Sequence, residues 1–161
     1  MRVGTMHITI ETLPELKLAG VSFAGQSTEL GTEMPKVWAA FLSREAECGA
    51  GAAVRYGANL QERGGIHIEC VAREVADLNA IPVGMIGLRI PGKRYAVFTH
   101  RGPMTAVPAT YVTAFAAMEQ LGLRQDTAGW RLERYDRRFT PGVDSPSRPG
   151  NAFEILVPLR N

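Results

Sequence analysis

Thr32-Glu-Met-Pro35-Lys-Val-Trp38 lies over Thr105-Ala-Val-Pro108-Ala-Thr-Tyr111 at a constant offset of 73 residues. Each stretch opens a helix by the same logic. In the first, Met34, Val37, Trp38, Phe41 and Leu42 fall at i, i+3, i+4, i+7 and i+8, one apolar stripe on a helical surface. Thr32 is placed to cap it, Pro35 stands in the first turn where a missing N–H costs little, and Gly49 closes the far end. In the second, Val107, Tyr111, Phe115, Met118 and Leu121 mark the stripe and Gly122 ends it.

Outward from the helices, the flanking segments repeat as well. Residues 6–12 and 16–24 read as strands around the Pro14 break, and residues 53–60 and 66–75 as strands around Gly64-Gly65. In the second half, residues 83–90 and 93–101 are joined by Pro91-Gly92, and strands near 130–136 and 152–159 finish the chain. An Arg-Tyr pair follows each helix, Arg55-Tyr56 and Arg134-Tyr135. Thr140 to Asn151 is rich in Pro, Gly and Ser and reads as a loop with freedom to move.

The repeated order predicts two strand-helix-strand-strand modules, residues 5–76 and 82–160, within one domain of residues 1–161. The expected fold class is α+β: an antiparallel-rich sheet with two main helices on one face and a natural pocket in the crease between them.

Bulk properties narrow the function. With 45% hydrophobic and 21% charged residues, the 161-residue chain is globular in composition and large enough to bury a core. A net charge of +2 gives no dense basic patch, so no direct nucleic-acid binding is expected. Cys48 and Cys70 form no Cys-x-x-Cys motif, and His7, His67 and His100 stand far apart, so neither a metal nor an organic cofactor is expected. No apolar run approaches a bilayer span, and Met1 to Ile10 does not read as a secretory leader. The expected location is cytoplasmic, with no membrane association. A Gly-x-Ser-x-Gly elbow, a His-Glu-x-x-His pair and a phosphate-cradling glycine loop are all absent from the sequence.

Several stretches resemble one bacterial family. Lys93-Arg-Tyr-Ala-Val-Phe-Thr-His-Arg-Gly102, Leu132-Glu133-Arg-Tyr135-Asp and Phe153-Glu-Ile-Leu-Val-Pro158 are similar to three strands of the GyrI-like, AraC-type effector-binding domains. Leu18-Ala-Gly20, Gly25 and Tyr56-Gly57 fit the looser first half of that pattern. At Ile66-His-Ile-Glu-Cys70 the chain carries His67 and Glu69 where the family usually shows an aromatic. The resemblance implies a cavity between the modules, lined by aromatic and acidic side chains, in a stand-alone member with no room for a helix-turn-helix before Ile8. It further implies binding of drugs or toxins, shielding of DNA gyrase, or hydrolysis of cyclopropane-bearing genotoxins.

Glu133 is the leading candidate site residue. A carboxylate facing an aromatic cavity must raise its pKa or find a partner, and a ligand cation satisfies it. The competing reading pairs it with Arg131 or Arg134 on an exposed face. Tyr135 shares its strand face. Trp38 and Tyr111, at matched helix positions, serve either as walls or as core, and Tyr56 joins them as the apparent counterpart of Tyr135. Glu69, on one face with His67, is a possible second pocket acid.

The sequence therefore points to a pocket for cationic or amphipathic hydrophobic compounds, for sequestration or sensing. Two alternatives stand beside it. One is a hydrolase with Glu133 as general base and Tyr135 assisting. The other is an interaction module acting on DNA gyrase or a transcription regulator.

Overall fold

The computed structural model describes residues 2–3, 6–50 and 54–161. Residue 5, where the first module was expected to open, and residue 53, at the start of its third strand, lie outside them. A short ladder pairs β1 (Arg2–Val3) with β2 (Met6–His7). The main sheet is built from β3 (Thr9–Leu13), β4 (Leu16–Gln26), β5 (Arg55–Arg63), β6 (Ile66–Glu74), β7 (Ile86–Ile90), β8 (Lys93–Arg101), β9 (Arg131–Tyr135) and β10 (Ala152–Pro158). Helix α1 (Leu30–Arg44) follows β4, and α2 (Val107–Gln120) follows β8. The chain adopts the α+β class expected from its sequence, with every ladder of the main sheet antiparallel.

The strand order is β3-β8-β10-β9-β5-β6-β4-β7. Exchanging β3 with β7, β4 with β8, β5 with β9 and β6 with β10 returns the same order reversed. A pseudo-two-fold therefore runs between the central strands β5 and β9. The first strand of each half has crossed over to the edge of the other, β3 onto β8 and β7 onto β4. Pro14-Glu15 and Pro91-Gly92 are thus not hairpin turns, although sequence places each between adjacent strands.

Those two links also force the sheet to curl. A two-residue link reaches only about 10 Å, yet each joins strands that stand at opposite ends of the order. The links meet at Gly92, where a β-carbon would lie 3.2 Å from the Leu13 carbonyl oxygen and 3.4 Å from the Glu15 nitrogen. Inside the curl, Leu18, Tyr56, Ala58, Cys70, Ala72, Tyr95, Leu132 and Leu156 form a core that no helix enters. On the opposite face the two helices pack through Trp38, Phe41, Ala114, Ala117 and Met118 onto Val71, Phe98, Phe153 and Ile155. Full burial of a side chain such as Phe41 contributes on the order of 2 kcal/mol.

Two local expectations are corrected. Thr32 does not cap α1, because the helix begins at Leu30 after a 3-10 turn over Ser27–Glu29. Ser27 is pinned to the β5–β6 turn, its backbone N–H and its hydroxyl donating to the Gly65 carbonyl at 2.8 and 3.2 Å. That anchor starts the helix early and leaves Pro35 inside it, where the carbonyl one turn back loses its usual N–H donor.

The segment from Thr140 to Asn151 is a loop, as expected, largely exposed and braced against α1 at Gly142. Gly142, at φ +81°, sits so tightly on α1 that a β-carbon would stand 3.0 Å from the Trp38 Cβ. Within the segment, Arg148 Nε donates to Asn151 Oδ1 at 2.8 Å and the buried Asn151 donates to the Ser145 carbonyl at 2.9 Å.

Candidate functional site

The crease between α1 and α2 lies over the central pair β5–β9. Alternation along β9 sends Arg131, Glu133 and Tyr135 to the helix face, and Leu132 and Arg134 to the inner face. Glu133 stands at the floor of the crease. Its Oε1 accepts a hydrogen bond from the Tyr111 hydroxyl at 3.2 Å, and its Oε2 accepts a short one from the Tyr135 hydroxyl. One tyrosine comes from α2 and the other from the same strand. Among the described residues no arginine or lysine forms a hydrogen bond or ion pair with this carboxylate.

Burial pushes the Glu133 carboxyl up to about 7, and the nearby Glu69 carboxylate adds to the effect. The two tyrosine hydroxyls and the Arg131 charge pull the other way. Both tyrosines are raised well above their ordinary range, by burial first and then by the negative charge of Glu133.

Glu69 reaches the same place from β6. The register sets Gly57 opposite both Glu133 and Val71, with Asn59 opposite Glu69. A β-carbon on Gly57 would meet Glu69 Oε1 at 3.0 Å and Glu133 Cβ at 3.8 Å. The missing side chain is the gap across which the two acids face each other. His67 Nε2 lies 3.7 Å from Glu69 Oε2, and that contact raises the histidine above its ordinary value.

Aromatic rings close over this floor. Trp38 meets Tyr135 edge to face at 5.2 Å between centroids, and Phe153 backs Tyr135 at 4.8 Å. Tyr111 stacks on Phe115 at 6.1 Å and meets Phe98 edge to face at 6.2 Å. The Arg131 Cζ stands 5.0 Å from the centre of the Tyr111 ring, and its Nη2 pairs with Glu62 Oε2 at 2.5 Å.

The structure thus brings Glu133, Tyr135, Tyr111, Trp38 and Glu69 together. Trp38 and Tyr111 both pack in the helix-side core and border the crease. Tyr56 is the correction. It lies in the inner core, with its ring beside Arg134, because Arg55 and not Tyr56 is level with Tyr135. A two-fold perpendicular to the sheet preserves faces, so the repeated Arg-Tyr pair is out of step by one residue and places its tyrosines on opposite sides.

The exposed-face pairing of Glu133 is also absent. Arg134 points into the curl and binds Glu154 and Glu11, while Arg131 binds Glu62. Sequence reasoning missed Gly57 and Arg131 as parts of the site. A glycine inside a strand was the available signal for the first, and period-two spacing from Glu133 for the second.

A cleft of about 310 Å³ opens beyond Arg131, lined by Asn59, Glu62, Gly129, Trp130 and Arg131 among others. Another, of about 290 Å³, lies by the end of α2 around Phe115, Met118 and Leu123. Neither includes Glu133. His100 is fully buried, with Thr110 Oγ1 at 2.8 Å and the Gly102 and Pro103 carbonyls as partners, which makes it structural. Among the described residues no cluster of three or more His, Cys, Asp or Glu side chains could hold a metal ion. No helix among them is long and apolar enough to cross a membrane.

A duplicated, curled sheet with an acid-floored aromatic crease defines a small-molecule-binding domain. The profile of the GyrI-like small molecule binding domain matches residues 6–160, and the chain belongs to that family. It is 27% identical over 161 residues to the transcriptional regulator BrlR of Pseudomonas aeruginosa, covering 98% of this chain and 57% of the regulator. The chain therefore spans little more than half the length of that relative. The fold is shared with SAV2435, solved bound to tetraphenylphosphonium (TM-score 0.71, 15% identity, 97% of this chain and 95% of that one). It is also shared with a hydrolase from Listeria innocua (TM-score 0.59, 14% identity, 95% and 91% covered).

Proposed function

We propose that this protein binds cationic, amphipathic aromatic compounds in the crease between α1 and α2, with Glu133 as the electrostatic anchor. The observation that carries this reading is a carboxylate on the crease floor whose two oxygens are bonded by tyrosine hydroxyls, with no arginine or lysine bonded or ion-paired to it among the described residues. Such a group is costly to ionise when empty and becomes favourable when a cation arrives. Trp38, Tyr111 and Tyr135 supply ring faces that attract the same cation, and Glu69 supplies a second negative charge across Gly57. The fold neighbour solved with tetraphenylphosphonium supports the same ligand chemistry.

The test is a titration with tetraphenylphosphonium and with neutral triphenylphosphine oxide, followed by tryptophan fluorescence. The cation binds more tightly, and Glu133→Gln erases the difference. Equal binding of both compounds to the wild-type protein would sink the reading.

A second reading has one specific observation in its favour. A carboxyl near pKa 7 is well matched to general-base work, and Tyr135 could pass a proton to a leaving atom. On this reading Glu133 directs water onto an electrophilic carbon such as that of a cyclopropane. Product formation from such a compound, lost in Glu133→Gln, supports it; no turnover removes it. A further alternative is an interaction module acting on DNA gyrase or a transcription regulator, tested by capture of that partner in a manner that depends on the ligand.

A further inference from the structure

Arg131 stands where a ligand's charge is expected to go. It shares the helix face of β9 with Glu133 and Tyr135, its guanidinium covers the Tyr111 ring at 5.0 Å, and its positive charge acts on Glu133. Its tether, Glu62, lies near the outer end of β5, beyond the register shift between Asn59 and Gln61, and its side chain is 53% exposed. Both residues line the 310 Å³ cleft, so the arginine can swing outward without losing its carboxylate partner. Opposite Arg131 and Glu69 in the register lies Asn59, whose buried Oδ1 has no hydrogen-bond donor. A buried acceptor left open calls for an N–H to fill it.

We propose that Arg131 is the resident occupant of the cation seat, and that the ligand is a flat, delocalised cation bearing N–H donors, an aryl amidinium or guanidinium, which displaces it. The incoming cation takes the face of Tyr111 and the charge of Glu133, and one of its N–H groups donates to Asn59 Oδ1. Arg131 withdraws into the cleft with Glu62. The inference rests on the cation-binding reading and assigns to Arg131 the role of a specificity-determining plug.

Two measurements test it. Naphthamidinium and trimethylnaphthylammonium, similar in size and charge, are titrated into wild-type protein and Arg131→Gln. The variant binds both cations at least about threefold more tightly, because the competing charge is gone, and the wild-type protein prefers the amidinium. In the wild-type protein, the side-chain Nε–H resonance of Arg131 moves on saturation with naphthamidinium as its guanidinium leaves the Tyr111 ring. Unchanged or weaker binding by Arg131→Gln, no preference for the amidinium, or a resonance that stays put overturns the proposal, even when cations bind. If neither cation binds to either protein, the cation-binding reading is overturned along with it.

Discussion

Glu133 and Arg134 are neighbours on β9, one on each face of the sheet, and their charges are treated in opposite ways. Arg134 points into the curl and is held by Glu154 at 2.9 Å and Glu11 at 3.2 Å. Burial works against its charge, yet the two carboxylates keep its guanidinium more basic than usual. Glu133 points to the helix face and has only hydroxyl donors, so burial raises its pKa. Both side chains sit in comparably closed surroundings. The inner face satisfies its charge within the protein, and the helix face leaves one open. A charge left open between aromatic rings is a vacancy with a sign.

The contrast can be broken from either side. Glu133→Gln should produce the largest effect, a loss of about 30-fold in the preference for cationic over neutral ligands, or about 2 kcal/mol, read by paired titrations. Arg134→Met should leave that preference intact. It should lower stability by about 2 kcal/mol in urea melts, since Glu11 and Glu154 lose their common partner and partial exposure softens the cost.

The pH profile should sharpen the comparison further. With Glu133 near 7, cation affinity should fall by about tenfold between pH 8 and pH 6 as the anchor protonates. His67, raised by Glu69, gains charge in the same direction. Neutral ligands should show a flat profile.

A further expected effect concerns stability. A carboxyl raised from 4.5 to about 7 binds its proton more tightly in the folded state than in the unfolded one. The stability it contributes is full below about pH 4.5 and is lost as pH rises toward 7. At pH 8, Glu133→Gln should therefore be more stable than the wild type in thermal melts, by up to about 3 kcal/mol, and at pH 4 the advantage should vanish.

Much of this was legible in the sequence. The two helices announced themselves through Pro35 over Pro108 and Trp38 over Tyr111, because helical stripes are local and repeat cleanly. Trp38 and Tyr111 could be nominated for the same reason, and Glu133 and Tyr135 through strand alternation and the resemblance of their strand to the effector-binding family. Pairing is not local. Nothing in Leu13-Pro-Glu-Leu16 reveals that its two strands part company and go to opposite ends of the sheet order. Face assignment failed at Tyr56, where a matching Arg-Tyr pair concealed a one-residue slip in register. Glu69 could be placed on a strand face without knowing which face was wet, and its position depends on a glycine in the adjacent strand.

The crossed first strands carry a consequence for the history of the fold. One module alone would present β4 with no neighbour on its outer side and β3 with nothing to pair against. Two copies of such a module would repair each other by domain swapping, each lending its first strand to the other, and would rebuild all eight strands with a true two-fold between them. Joining the copies in one gene makes the halves free to diverge, and the unequal placing of the two acids, Glu133 on the central strand of one half and Glu69 one strand further out in the other, is what that freedom permits.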